Sequence, residues 1–228
     1  MKTRATSVAI ALAILASLAG ATSSSAATSF PFYAIGGIVK WSGLESSKIA
    51  FDGPFSVYRP ITVERSNTET TFRFGGGYSF DENWSIEASY VVGPTQETSF
   101  NQQFQAIDEF FPFDVKAKRD VTMLRAGAVY EIPFRKPVSF FAKAGLALVE
   151  SKAKFSFHLS DDIRTLSIAP FPIPTSISNS SDDTKLFASA GIRFSFKDRR
   201  TSASLAFVRY DDLPQVDNAF ELDLQWRF

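Results

Sequence analysis

From Ala219 to Phe228 the chain alternates strictly. Phe220, Leu222, Leu224, Trp226 and Phe228 share one parity, and Glu221, Asp223, Gln225 and Arg227 the other. That pattern predicts a β-strand with one apolar and one charged face. Similar segments recur at Phe32–Trp41, Thr70–Phe80, Trp84–Val92, Asp120–Ile132, Val138–Ser151, Lys185–Phe196 and Ser202–Tyr210. With the last strand these make eight, an even number that suits a closed antiparallel barrel. No amphipathic helix of convincing length competes with them.

The parity is clear in most strands. Phe72, Phe74, Gly76, Tyr78 and Phe80 oppose Arg73, Gly75, Gly77 and Ser79, and Trp84, Ile86, Ala88, Tyr90 and Val92 oppose Ser85, Glu87 and Ser89. Leu124 to Ile132 and Leu186 to Phe196 repeat the scheme, with Arg125 and Glu131, then Arg193, on the polar side. Only the seventh strand is weak: there Val208 and Tyr210 face outward only if Leu205 and Phe207 face inward with Arg209. The connections alternate too. Asp81-Glu82-Asn83, Phe134 to Pro137 and Lys197 to Arg200 are short and polar, whereas 42–69, 93–119 and 152–184 are long. Short turns at one end and long loops at the other are expected of an outer-membrane barrel, with the loops extracellular.

On that reading the apolar faces meet lipid and the charged faces line a narrow bore. The expected luminal set is Lys40, Arg73, Glu87, Arg125, Glu131, Lys143, Arg193, Arg209, Glu221, Asp223 and Arg227, paired into networks because isolated charges there are costly. A basic residue recurs two positions from a glycine, as in Arg73/Gly75, Arg125/Gly127, Lys143/Gly145 and Gly191/Arg193. Glycine would make room for a basic side chain crossing the bore; relief of strand curvature is the other explanation. Trp41, Tyr78, Phe80, Trp84, Tyr90, Phe196, Tyr210, Trp226 and Phe228 are expected to form aromatic girdles at the two membrane surfaces.

Composition adds three limits. Twenty-four basic residues balance 24 acidic ones, so nothing suggests a nucleic-acid partner. Cysteine is absent, which excludes disulfides, thiolate metal sites and a lipidated cysteine. Residues 1–27 read as a secretory signal: Lys2 and Arg4 precede an apolar run from Val8 to Leu18, and Ser25-Ala26-Ala27 supplies small cleavage-site residues. Its removal leaves residues 28–228 as the barrel domain, slightly acidic.

These features resemble the transmembrane domain of the outer membrane protein A family, within the broad group of small porin-like surface antigens. The stretches that carry the resemblance are Gly75-Gly76-Gly77-Tyr78-Ser79-Phe80-Asp81-Glu82-Asn83-Trp84, Phe141-Ala142-Lys143-Ala144-Gly145-Leu146, Ser189-Ala190-Gly191-Ile192-Arg193-Phe194 and Val208-Arg209-Tyr210-Asp211-Asp212-Leu213. The ending Leu224-Gln225-Trp226-Arg227-Phe228 looks like the signal read by the barrel-assembly machinery, with Leu224, Trp226 and Phe228 as its apolar positions. The resemblance implies an all-β, eight-stranded transmembrane barrel in the bacterial outer membrane, surrounded by lipid and lipopolysaccharide and delivered by periplasmic chaperones. It does not bring a peptidoglycan-binding domain, because the chain stops at the barrel. The group contains structural proteins, adhesins and narrow pores.

Three roles follow for comparison. A structural or adhesive barrel would use its loops, whose Gly53-Pro54-Phe55, Phe110-Phe111-Pro112-Phe113 and Ala169 to Pro174 are rich in Phe and Pro, to meet a host or cell-surface ligand. A narrow passive porin would need an open bore, and any leak would slightly favour anions. A lipid A-modifying enzyme would need a nucleophile. His158 and Ser160 resemble the His-x-Ser of lipid A deacylases, but Asp161 stands where that pattern has Asn. No catalytic residue, cofactor or metal site is assigned; Asp161-Asp162, Asp182-Asp183 and Asp211-Asp212 read as hydrated acidic pairs. A secreted soluble carrier, with Phe72, Phe74, Ile192 and Phe194 turned inward, is the remaining alternative.

Overall fold

A computed structural model describes residues 30–42, 62–67, 69–106, 109–159, 176–196, 200–211, 213 and 218–228. Every regular element among them is a β-strand. These are β1 (Phe32–Ser42), β2 (Thr62–Asn67), β3 (Thr70–Ser79), β4 (Trp84–Ala106), β5 (Glu109–Arg135), β6 (Val138–Leu159), β7 (Ser176–Ser195), β8 (Thr201–Tyr210) and β9 (Asn218–Arg227). The expected secretory signal lies outside the described residues.

All pairings are antiparallel, and β1 joins β9 over Tyr33↔Arg227 to Ser42↔Asn218. With β1–β3, β3–β4 and the successive pairs from β4 to β9, this closes an eight-stranded barrel. The closure extends to the last residue, where the Phe228 amide donates to the Phe32 carbonyl at 3.0 Å. β2 stands outside the ring and pairs with the upper part of β4.

Polarity is reversed relative to a soluble domain. Phe72, Phe74, Ile192, Phe194, Leu222 and Leu224 are exposed on the outer wall, Leu224 to 61%. Arg73, Arg125 and Glu221 are 1–2% exposed within it. β1, β3, β8 and β9 have 10 or 11 residues, the length that tilted strands need to cross a bilayer, about 9–11 residues. The soluble-carrier alternative fails here, because its apolar residues would have to point inward.

The short turns are built as their sequences require. The Asp81 carboxylate accepts from the amides of Asn83 and Trp84, both at 2.7 Å, a local bond that substitutes for the ladder in a tight turn. At the other end the expectation of long loops needs correction. β4 runs to 23 residues, β5 to 27, β6 to 22 and β7 to 20. Residues 93–106, 109–119, 152–159 and 176–184 therefore continue the ladder, and β2 adds an edge from within 42–69. Half of the wall rises some ten residues above the other half, roughly 33 Å of strand. Among the described side chains of these segments most are exposed or half-buried, Gly93, Pro94 and Val115 excepted, and strong apolar alternation is lacking.

Candidate functional site

The inward faces of the eight barrel strands stack in layers along the lumen. The middle layers hold one ion-pair network. Arg73 donates to Glu87 at 2.8 Å and to Glu221, and its Nε lies 3.1 Å from Asp223. Lys143 reaches the same Glu87 oxygen at 2.5 Å. Arg125 pairs with Glu221 at 2.6 Å and donates to the Tyr210 hydroxyl at 2.8 Å. Below, Arg193 pairs with Glu131, which also accepts from Ser139 at 2.5 Å. Arg227 lies over the Tyr33 ring at 5.8 Å. Strand register explains the convergence: Gly37↔Asp223, Gly37↔Arg73 and Gly77↔Glu87 bring carboxylates and guanidinium together from three strands, with Gly37 of β1 between two of them.

Above this network the lumen becomes apolar. Val39, Trp41, Val91, Met123, Ala147, Val149, Phe187, Val208 and Tyr210 pack as one buried cluster at the extracellular end. Trp41 and Tyr210 stack with ring centroids 5.9 Å apart, and the indole N–H donates to Thr71 at 2.8 Å. The lumen thus has two packed zones in series, an ion-paired middle and an aromatic top.

Four expected placements are corrected. Lys40 and Arg209 are not luminal but exposed on the outer wall, whereas Trp41 and Tyr210 are not girdle residues but buried inside. Both cases turn on parity. Register fixes it on β8, where Ser204 faces Asp223 and Ala206 faces Glu221, so Tyr210 must point inward with them and Leu205, Phe207 and Arg209 outward. On β1, Ile35, Val39 and Trp41 share the buried parity, which sends Lys40 outward beside Phe220. At the outer rim long basic side chains can lie along the apolar wall and end in the headgroup layer. The other luminal residues, Arg73, Glu87, Arg125, Glu131, Lys143, Arg193, Glu221, Asp223 and Arg227, lie on the inward faces. Tyr78, Phe80, Trp84, Tyr90, Phe196, Trp226 and Phe228 lie on the outer wall, as does Leu224.

At Gly75, Gly127, Gly145 and Gly191 the nearest neighbour is backbone of the adjoining strand, not a basic side chain. A Cβ on Gly127 would meet the Ala144 carbonyl oxygen at 2.5 Å and the Phe187 ring at 3.1 Å, and one on Gly191 the Leu205 carbonyl oxygen and, at 2.9 Å, the Phe141 ring. Those rings in turn lie under guanidinium groups, Arg125 over Phe187 at 5.2 Å and Arg193 over Phe141 at 5.0 Å. Glycine here admits both the adjoining backbone and an aromatic ring, and the ring supports the arginine by cation–π contact. Phe141 and Phe187 were legible only in part: each shares parity with luminal polar residues, and the signal is an inward aromatic with a glycine two strands or one strand away. At Gly145 the obstruction is backbone alone, with Ala126 and Gly127 of β5 too close for a side chain.

His158 is exposed on the upper part of β6, in register with Asp114, and Ser160 lies outside the described residues. Gly53-Pro54-Phe55, Ala169 to Pro174, Asp161-Asp162 and Asp212 also lie outside them. Phe110 to Phe113 form part of β5, and Asp182-Asp183 are exposed on β7. No group of three or more His, Cys, Asp or Glu that could hold a metal ion occurs among the described residues.

Similar solved structures include Ail, the attachment invasion locus protein of Yersinia pestis, at 18% identity and TM-score 0.44 over 87% of this chain and 99% of that one. The N-terminal β-barrel domain of Pseudomonas aeruginosa OprF is similar at 11% identity and TM-score 0.44 over 87% and 98%. Neisserial surface protein A is similar at 13% identity and TM-score 0.39 over 86% and 97%. Among curated protein sequences none matches. The family model of the outer membrane protein beta-barrel domain matches residues 11–228, which include every strand of the closed ring. The chain therefore belongs to the outer membrane protein β-barrel family, and it is a protein of the bacterial outer membrane.

Proposed function

We propose that the barrel is a non-enzymatic structural and surface-interaction protein, with a shut lumen and an adhesin-like role for its extracellular extension. One observation carries this reading: β4, β5, β6 and β7 continue together far above the rim, with β2 on one edge. A sheet built out into water contributes nothing to spanning the membrane, and a rigid platform is suited to holding a recognition surface away from the lipid. The partner in this reading is a host or cell-surface ligand, and outer-membrane lipid and lipopolysaccharide surround the belt, within reach of Lys40 and Arg209. Replacing residues 98–117 by a short turn should abolish whole-cell adhesion while leaving the barrel folded and heat-modifiable; unchanged adhesion would remove the role from this hairpin.

The narrow porin is the competing reading, and the two packed zones of the lumen weigh against it. In planar bilayers the refolded wild-type barrel is expected to show no steady conductance. Sustained ohmic current through the folded protein would favour the porin instead.

Assembly belongs to the same proposal. Leu224, Trp226 and Phe228 point outward from the strand that pairs with both β1 and β8, and we assign them to recognition by the barrel-assembly machinery after chaperone delivery. Deleting Phe228 should slow the appearance of heat-modifiable protein in pulse-chase experiments; normal kinetics would refute the assignment.

A further inference from the structure

The periplasmic lip is polarised. The turn between β3 and β4 is acidic, with Asp81 and Glu82, whereas the turn between β5 and β6 carries Arg135 and Lys136, and the turn between β7 and β8 ends in Arg200. The two basic turns are neighbours on the rim. The Ser195 amide donates to the Pro137 carbonyl at 2.9 Å, and Val138 of β6 pairs with Phe194 of β7. Their centres stand two strand spacings apart, about 10 Å. By sequence, Lys197-Asp198-Arg199 adds one net positive charge to the second turn; it lies outside the described residues.

The carboxylates at this end are engaged elsewhere. Asp81 accepts from the amides of Asn83 and Trp84, and Glu131 pairs with Arg193 in the lumen. Glu82 is on the β3–β4 turn, away from β7 and β8. Arg135 and Lys136 are exposed, and neither has an ion pair among the described residues. Beside them the outer wall is aromatic: Phe134 is 66% exposed, and Phe140, Phe194 and Phe196 are 43–47% exposed. The ladder shifts register between Pro133 and Arg135, which leaves Phe134 as the unpaired bulge residue, its ring 5.5 Å from that of Phe140. The Arg135 guanidinium lies over the Phe134 ring at 6.0 Å. Phenylalanine has no polar handle, so these four rings belong among acyl chains just inside the headgroup layer. A cation stacked on one of them stands at the height of the lipid phosphates. Without a carboxylate of its own, it favours a headgroup of net negative charge.

We propose that this part of the lip binds an anionic glycerophospholipid of the inner leaflet, with its phosphate against Arg135 and Lys136 and its acyl chains on Phe134, Phe140, Phe194 and Phe196. The surface continues the lipid-facing belt, and the two cations add selection by headgroup charge. The site is independent of the extracellular extension and of whether the lumen conducts.

The test is native mass spectrometry of the full barrel, released from zwitterionic micelles that contain equal amounts of phosphatidylglycerol and phosphatidylcholine with the same acyl chains. The first bound lipid should be phosphatidylglycerol by about 25-fold, two contributions of about fivefold, each that of one base beside a membrane. Arg135→Gln and Lys136→Gln should each lower the preference about fivefold, and the double variant should bind the two lipids alike. Phe134→Ala should weaken both lipids together and leave the preference in place. Lys40→Gln combined with Arg209→Gln, at the opposite rim, should leave it in place too. Heat-modifiability of each variant keeps lipid binding separate from folding. Equal retention of the two lipids by the wild type, an undiminished preference in the Arg135/Lys136 double variant, or loss of the preference in the opposite-rim variant would overturn the proposal.

Discussion

Arg73→Met is expected to destabilise the barrel by about 3–5 kcal/mol, the range for removing one member of a buried ion network. The reason is what remains. Arg73 is 2% exposed and stands among Glu87, Glu221 and Asp223. Without it, Asp223 loses its only ion pair among the described residues, while Glu87 retains Lys143 and Glu221 retains Arg125. Three carboxylates would then share the bore with two nearby cations. Glu221→Gln alone should also destabilise, because it takes an anion from both Arg73 and Arg125. Combined with Arg73→Met it should cost less than the two single effects added, since each change removes part of the charge that the other leaves unpaired. Urea unfolding in lipid vesicles, followed by tryptophan emission and gel mobility, measures all three. Equal stability of Arg73→Met and wild type would mean that the network does not support the fold.

The second large effect lies on the other face. Leu224→Arg should cost about 2–4 kcal/mol, the depth-dependent penalty for a cation at the bilayer midplane. Leu224 is 61% exposed and flanked in register by Gly36 on β1 and Ala203 on β8, so no bulky neighbour shields it. It stands four residues from Phe220 and four from Phe228, too deep for an arginine to reach either surface without cost. Phe220→Arg should be milder, because Lys40 is its register partner and shows that a basic side chain is tolerated at that height. Accumulation of folded Leu224→Arg at the wild-type level would contradict lipid contact at this site.

Much of this was legible in the sequence where the two faces differ in chemistry. Glu221, Asp223, Arg73, Glu87, Arg125 and Arg193 declare the inward parity of β9, β3, β4, β5 and β7, because a charge opposite a run of Phe and Leu leaves one choice. β1 and the upper part of β8 are apolar on both faces. There the single basic residue, Lys40 or Arg209, suggests the wrong side, since near the rim a cation can sit outside while an aromatic packs within. Register with a neighbouring charged strand settles the matter, and register is not written in either strand alone.

The extension was missed for a related reason. Glu97, Thr98, Ser99, Lys116 and Lys118 give no face to read, and polar residues between apolar strands resemble loops. A trace of the pattern does persist, in Phe155 and Phe157 alternating with Lys154, Ser156 and His158. The two-part lumen was also hidden. Trp41, Met123, Phe187 and Tyr210 come from four strands, and only closure of the ring brings them together.

Reversal of inside and outside can be read directly with nitroxide labels placed one at a time from Ala219 to Gln225 in the vesicle-embedded protein. The account predicts collision with dissolved oxygen at Phe220, Leu222 and Leu224, and shielding from oxygen and from aqueous relaxant at Glu221 and Asp223. Labels at the Phe and Leu positions shielded from both reagents would place those side chains in a protein core, and the membrane-spanning barrel would be contradicted.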